Sequence, residues 1–244
     1  MRVSEQLPDP ARTDAGLVLS SEWVVGSPEL LVPTADAIIA AWQRFPWPDG
    51  LLTYALFLEA DTPADTPADG GGDGDGDGDG ALLRHYSQWT DEAAFESFIR
   101  TGRQPRIDSI DAAVPGIVRR DHHSYRLYRG SRSPGGEVPG AIVVVRVDTD
   151  DAALARTWVD AVFEALGQGG DLPAGGLGAF FHVSTDGRHV LNYAEWVSAQ
   201  AHRSALAATG RGIAQGPLWD KVQTMPGVRH QSVTRYRLHK TLTP

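Results

Sequence analysis

The stretch Pro115-Gly116-Ile117, followed by Tyr125-Arg126-Leu127-Tyr128, returns later in the chain as Pro226-Gly227-Val228, followed by Tyr236-Arg237-Leu238-His239. Nine positions separate Gly116 from Tyr125, and nine separate Gly227 from Tyr236. Upstream of each Pro-Gly stands a Tyr-x-x-Trp, as Tyr86-Ser87-Gln88-Trp89 and as Tyr193-Ala194-Glu195-Trp196. Two landmarks repeated in the same order divide the 244 residues into two copies of one unit. A unit of roughly 110 residues is too long for a solenoid repeat and right for a small domain.

Working outward from these landmarks, each copy reads as β-α-β-β-α-β, the ferredoxin-like split unit. In the first copy, strands are expected at Leu17–Val25, Leu51–Glu59, Ala81–Trp89 and Ile117–Arg129. A helix is expected over Thr34–Phe45, where Ile38, Ile39, Trp42 and Phe45 recur at helical spacing. Thr90 is the expected cap of a second helix carrying Phe95, Phe98 and Ile99 inward, with a short helical or loop segment after it. In the second copy the strands are Ala141–Val147, Leu177–Ser184, His189–Val197 and Val228–His239. Its helices are Asp151–Leu166 and Ser198–Thr209, with a short piece near Leu218–Thr224. Residues 16–129 and 141–240 form the two expected domains, residues 130–140 a Ser/Pro/Gly-rich linker, and residues 1–15 a flexible lead. A four-stranded sheet with both helices on one face leaves the other face bare. The expected fold class is therefore α+β, with two ferredoxin-like repeats packed sheet to sheet as an intrachain pseudo-dimeric α/β barrel. The oligomeric expectation is a monomer of this kind or a homodimer of it.

Composition narrows the function. The net charge is −9, but residues 61–80 hold seven Asp and no base. The remainder is nearly neutral and presents no basic field for nucleic acid. The Asp-Gly tract is expected to be a mobile, dispensable insert in a hairpin loop, since Gly and Asp bury too little apolar surface to offset ordering entropy. Its start, Asp73–Gly78, resembles a calcium-binding loop, but the twelfth position is Arg84 where a Glu is required. There is no cysteine, hence no thiolate nucleophile and no Cys-metal site. The N-terminus has no apolar signal core, and no apolar run approaches bilayer length, so a soluble cytoplasmic protein is expected. No glycine-rich dinucleotide or phosphate-binding signature occurs, nor H-E-x-x-H or G-x-S-x-G, and the eight His residues show no ligand spacing.

The third strand of the second copy carries the candidate chemistry. Asn192, Ala194 and Trp196 share one face of a period-two strand; Tyr193 and Glu195 share the other. His202 stands six residues past Trp196, where the first copy has Phe95 six past Trp89. It is thus expected to point inward near Asn192 and Trp196. The first copy has His85 where the second has Asn192. The alternative reading makes both Trp residues core, bonds Asn192 to backbone, and leaves His202 a satisfied core histidine.

The β-α-β-β-α-β order, the Tyr-x-x-Trp on the third strand and the Pro-Gly before the last strand resemble the antibiotic biosynthesis monooxygenase family. The resemblance covers nearly the whole chain outside the lead, the insert and the linker. It implies a dimeric α/β barrel and a cofactor-independent oxygenase that converts an anthrone-type aromatic polyketide to a quinone with O2. In quinone-forming members an Asn and a Trp four residues later line the pocket, and Asn192 and Trp196 match that pair. Asn192, Trp196 and His202 are therefore the expected catalytic residues: Asn192 and Trp196 from the resemblance, the first donating to the substrate carbonyl and the second stacking or donating its indole N–H, and His202 as the nearest base, since an imidazole pKa can lie near neutrality. Trp158, Phe181, Tyr236, His85 and Trp89 are the expected substrate contacts. No cofactor, metal, membrane or nucleic-acid partner is expected. The rival functions are a polyketide cyclase or isomerase on the same barrel, haem binding or degradation, and a non-catalytic ligand-binding protein. The first copy's pocket is expected to be a structural remnant.

Overall fold

A computed structural model describes residues 1–60, 80–167, 172–208, 213 and 215–244. The insert from 61 to 79, with its Asp73–Gly78 calcium-loop start, lies outside the described residues, as does position 209 at the end of the expected Ser198–Thr209 helix. The chain divides into two compact units, residues 1–124 with 237–244, and residues 125–236.

The first unit contains β1 (Arg2–Ser4), β2 (Leu17–Val25), α1 (Leu31–Arg44), β3 (Leu51–Glu59), β4 (Ala81–Trp89), α2 (Glu92–Thr101), α3 (Arg103–Ala113) and the opening of β5 (Val118–Arg132). Central β4 runs antiparallel to β2, from Leu17↔Trp89 to Val25↔Ala81, and to β3, from Leu51↔Trp89 to Leu58↔Leu83. The lead is not wholly irregular. Residues 2–4 form a short strand against the C-terminal segment, Arg2↔Thr243 to Ser4↔Thr241. Helix α2 is capped one residue later than expected. The Asp91 carboxylate, not Thr90, accepts from the Ala94 N–H at 2.8 Å. The core gathers Ile38, Trp42, Leu56, Leu83 and Trp89, with the Trp42 and Phe98 rings stacked 5.6 Å apart.

The second unit contains the close of β5, then β6 (Ala141–Thr149), α4 (Ala152–Gly167), β7 (Gly176–Ser184), β8 (His189–Trp196), α5 (Ala199–Ala207), α6 (Pro217–Gln223) and the first part of β9 (Val228–Thr243). Central β8 pairs with β6, Ala141↔Trp196 to Asp148↔His189, and with β7, Gly176↔Trp196 to Val183↔Val190. The α5 cap repeats that of α2: Ser198 Oγ accepts from Ala201 N at 3.0 Å. The expected 130–140 linker is shorter than its composition suggests, because β5 continues to Arg132 and pairs with β7 up to Arg132↔Gly178.

The repeated Pro-Gly has a conformational cause. Gly116 and Gly227 adopt φ of +88° and +80°. In the second copy, Val228 N bonds to Met225 O at 3.2 Å, closing a turn with Pro226 and Gly227 at its centre. Proline presets the first central φ, and glycine takes the positive φ that other residues resist.

Each repeat keeps the ferredoxin-like strand order, β5-β2-β4-β3 in one and β9-β6-β8-β7 in the other. The overall order is β1-β9-β3-β4-β2-β5-β7-β8-β6, with β9 also pairing with β6. The ladder of pairings therefore returns on itself. The fold is α+β, built from two ferredoxin-like repeats in a closed, barrel-type strand order. No helix among the described residues is long and apolar enough to cross a membrane.

Candidate functional site

In the second unit the sheet and helices enclose a cavity of about 260 Å³. Strand β8 supplies Asn192, Ala194 and Trp196 to its lining, as period-two alternation requires. Tyr193 and Glu195 are absent from it, and Glu195 instead pairs with Arg132 at 3.1 Å. Phe181, directly opposite Asn192 on β7, lines the cavity, as do Trp158 from α4 and His202 from α5. The structure thus brings together Asn192, Trp196, His202, Trp158 and Phe181. His85 and Trp89 line a separate cavity in the first unit. Tyr236 is fully buried in β9 but does not line the second-unit cavity. It lies three residues past the lining residue Val233, and an odd step along a strand turns a side chain to the opposite face.

His202 takes the place of Phe95 in geometry as well as in sequence. The Trp196 and His202 rings meet edge to face at 4.8 Å, and the Trp89 and Phe95 rings do so at 5.4 Å. His202 is buried, and its Nδ1 accepts a hydrogen bond of 2.9 Å from Arg235 Nε. A guanidinium can only donate, so Nδ1 carries no proton, and the neutral ring holds its hydrogen on Nε2. The expected role of His202 as base does not suit this tautomer, which equips the ring to donate.

Asn192 presents the complementary feature. Its Oδ1 is buried and has no hydrogen-bond partner among the described residues. Leaving such an acceptor unsatisfied costs about 1–3 kcal/mol, so this oxygen is a polar group of a mostly apolar wall with capacity to accept a hydrogen bond.

Two residues of this site escaped the sequence reading. Arg235 sets the His202 tautomer. His230, exposed at the cavity lining, lies edge to face with Trp158 at 5.9 Å. Partial burial holds the His230 pKa below the ordinary histidine value, against the opposing effect of a bond to the Val222 backbone. That bond favours the protonated ring, so the imidazole donates to the carbonyl and leaves its second nitrogen as an acceptor. Trp158 Nε1 donates to the same carbonyl at 3.2 Å.

No family model matches the sequence, and no curated protein matches it. Solved structures do. An anthrone oxidase-like protein superposes with a TM-score of 0.66 at 12% identity, over 95% of this chain and 94% of its own. A candidate monooxygenase from Fusobacterium nucleatum matches with a TM-score of 0.54 at 10% identity, over 94% of this chain and 95% of its own. Another from Lactobacillus acidophilus matches at 0.50 and 8% identity, over 93% of this chain and 96% of its own. At these identities the likeness is one of fold.

Proposed function

We propose that the second-unit cavity is the active site of a cofactor-independent monooxygenase acting on a flat, anthrone-type aromatic polyketide. The carrying observation is the buried, unpartnered Asn192 Oδ1 in a cavity walled by Trp158, Phe181 and Trp196. The names of two of the structural neighbours, anthrone oxidase-like protein and candidate monooxygenase, point to the same reaction type.

The chemistry follows from the substrate. Triplet dioxygen does not react directly with closed-shell molecules, but a deprotonated anthrone can give it one electron. Recombination forms a carbon–oxygen bond, and loss of water from the hydroperoxide leaves the quinone, so that anthrone and O2 become quinone and water. The protein has to remove a proton, stabilise the developing oxyanion and exclude bulk water. Asn192 Oδ1 accepts from a phenolic or enolic O–H of the bound ring. The Nε2–H of His202 donates to the oxygen on which charge develops. Trp196 and Trp158 offer flat faces and edges for stacking. His230 is the better base: its depressed pKa keeps it neutral at physiological pH, and one ring nitrogen remains an acceptor.

The test is oxygen uptake with 1,8-dihydroxyanthrone and the purified protein. One O2 consumed per quinone, with turnover reduced about 10²–10³-fold in Asn192→Ala, is the expected result. Turnover under strict anaerobiosis would instead assign the site to a cyclase or isomerase.

A further inference from the structure

The first unit has its own cavity, of about 200 Å³, and its chemistry is unlike that of the second. Four arginines, Arg103, Arg106, Arg119 and Arg120, line it, and no Asp or Glu is among the lining residues. Trp23, Trp42, Trp89, Phe95 and Phe98 form its walls.

Three polar groups around this cavity are buried with an unmet hydrogen-bonding capacity. His85 is 8% exposed, and its Nε2 has no partner among the described residues. Arg106 is 5% exposed, with its Nε likewise unpartnered. Its terminal nitrogens are held by the carbonyls of Gly102, at 2.7 Å, and Pro46. The guanidinium lies 4.8 Å from the centre of the Trp42 ring. Arg119 stacks over Trp23 at 4.4 Å and bonds to Asp111, yet its buried Nε has no partner among the described residues.

A relay of hydrogen bonds fixes what His85 presents. The Trp42 indole can only donate, and it bonds to the Tyr54 hydroxyl. That hydroxyl keeps its own hydrogen to give and lies 2.6 Å from His85 Nδ1. With this hydroxyl donating to Nδ1, the neutral ring carries its hydrogen on Nε2. Burial and the positive field of Arg84 and Arg119 push the His85 pKa down to about 3, so the ring stays neutral. The cavity therefore offers neutral and cationic donors between aromatic faces, and Asp111, which bonds to Arg119, lies outside its lining. A cationic, donor-lined slot of this kind is complementary to a flat ring that bears negative charge.

We propose that the first-unit cavity is a binding site for a planar aromatic anion, a fused-ring carboxylate or phenolate, with its charged oxygen directed at Arg119, Arg103 and His85 Nε2 and its rings between Trp23, Trp89 and Phe95. It is a second ligand site, independent of the oxygenase reading of the second unit, and not the structural remnant that sequence comparison suggests.

The test uses 2-naphthoate and its neutral isostere 2-naphthamide with the full chain, by titration calorimetry. Expected are binding of the anion at least about tenfold tighter than the amide, and a loss of about tenfold in Arg103→Gln and in Arg119→Gln for the anion alone. Asn192→Leu leaves naphthoate binding unchanged. Arg119→Gln gives up the contact to Asp111. Should it fail to fold, Arg103→Gln, on a half-buried residue, still decides the matter. Equal affinity for acid and amide, no binding of either, or loss of naphthoate binding in Asn192→Leu but not in Arg103→Gln, would each overturn the proposal. The anthrone assay is unaffected by these outcomes, because Arg103 and Arg119 lie outside the second-unit cavity.

Discussion

Asn192→Leu separates ligand recognition from stability more sharply than any other substitution in the second cavity. Asn192 sits in the middle of β8, opposite Val145 on β6 and Phe181 on β7, both of which line the cavity. Its buried Oδ1 finds no partner among the described residues. An orphaned acceptor costs about 1–3 kcal/mol, and a leucine, of the same branched shape but bulkier, removes it while adding apolar contact with Val145 and Phe181 and filling part of the cavity. Leucine also suits a strand better than asparagine. The variant should therefore be more stable than the parent by about 1–3 kcal/mol. For a chain of this size each kcal/mol raises Tm by about 2–4 °C. Oxygen uptake with 1,8-dihydroxyanthrone should fall by about 10²–10³-fold in the same variant, because the amide's partner is the substrate. Thermal denaturation by circular dichroism and the oxygen electrode give the two readouts on one preparation. A Tm lowered by several degrees would show that the amide holds the fold together. A higher Tm with unchanged turnover would show that the amide never meets the substrate. Either result refutes the reasoning.

Three further outcomes are expected. Arg235→Gln should lower kcat about tenfold with KM little changed, since Arg235 touches His202 and only fixes its tautomer; a matching KM increase, or no change in the His202 ring nitrogen NMR shifts, would contradict that role. Acid should destabilise the fold through His85 and His182, whose folded pKa values burial depresses to about 3 and about 4. Their neutral forms are favoured in the fold, so this stability is fully present above the unfolded pKa near 6.5 and is lost as pH falls toward 4. The loss is about 1.4 kcal/mol per pH unit for each histidine; urea midpoints at pH 7 and pH 5 measure it, and equal midpoints would exclude it. Replacing residues 61–79 with a short turn should move Tm by less than about 2 °C, because β3 and β4 are paired independently from Leu51↔Trp89 to Leu58↔Leu83; a larger fall, or stabilisation by calcium, would count against it.

The repeat was legible because its landmarks answer to local physics. A positive φ at Gly116 and Gly227 leaves few alternatives to glycine, and the proline before it follows from the turn. Alternation along β8 sorted Asn192, Ala194 and Trp196 from Tyr193 and Glu195 for the same reason. Strand β9 did not yield to that reading. His230 and Val233 both line the cavity although they are three residues apart. The β6–β9 register passes from Val147↔His230 to Arg146↔Ser232, leaving Gln231 as a bulge that resets the alternation. Period-two logic applied to β9 therefore misses His230, and it has no means of finding Arg235, whose role depends on the tertiary approach of α5. Strand β1 was illegible for a related reason. Residues 2–4 carry no pattern of their own and become a strand only by pairing with 241–243.

The two copies show how one frame can acquire two chemistries through few positions. His85 stands where Asn192 does, Phe95 where His202 does, and Arg119, three past Gly116, where His230 stands three past Gly227. The first cavity has fixed guanidinium groups in its lining; the second has none, and offers two amides, Asn192 and Gln223, and two imidazoles. A fixed cation stabilises an anion before, during and after reaction alike, which tightens binding without speeding chemistry. Neutral donors gain most when charge develops opposite them, so their stabilisation is concentrated in the transition state. On the two proposals made above, this electrostatic contrast suits retention of an anionic aromatic in the first unit and formation of a transient oxyanion in the second. Introducing a cation at the wrong position should blur that division. His230→Arg, which restores the first copy's residue in the second, should add a second 2-naphthoate site in the second cavity while lowering anthrone turnover, because the base is lost and the ground-state anion is favoured. Turnover at the parental rate in that variant would show that the charge of the lining does not decide which cavity reacts.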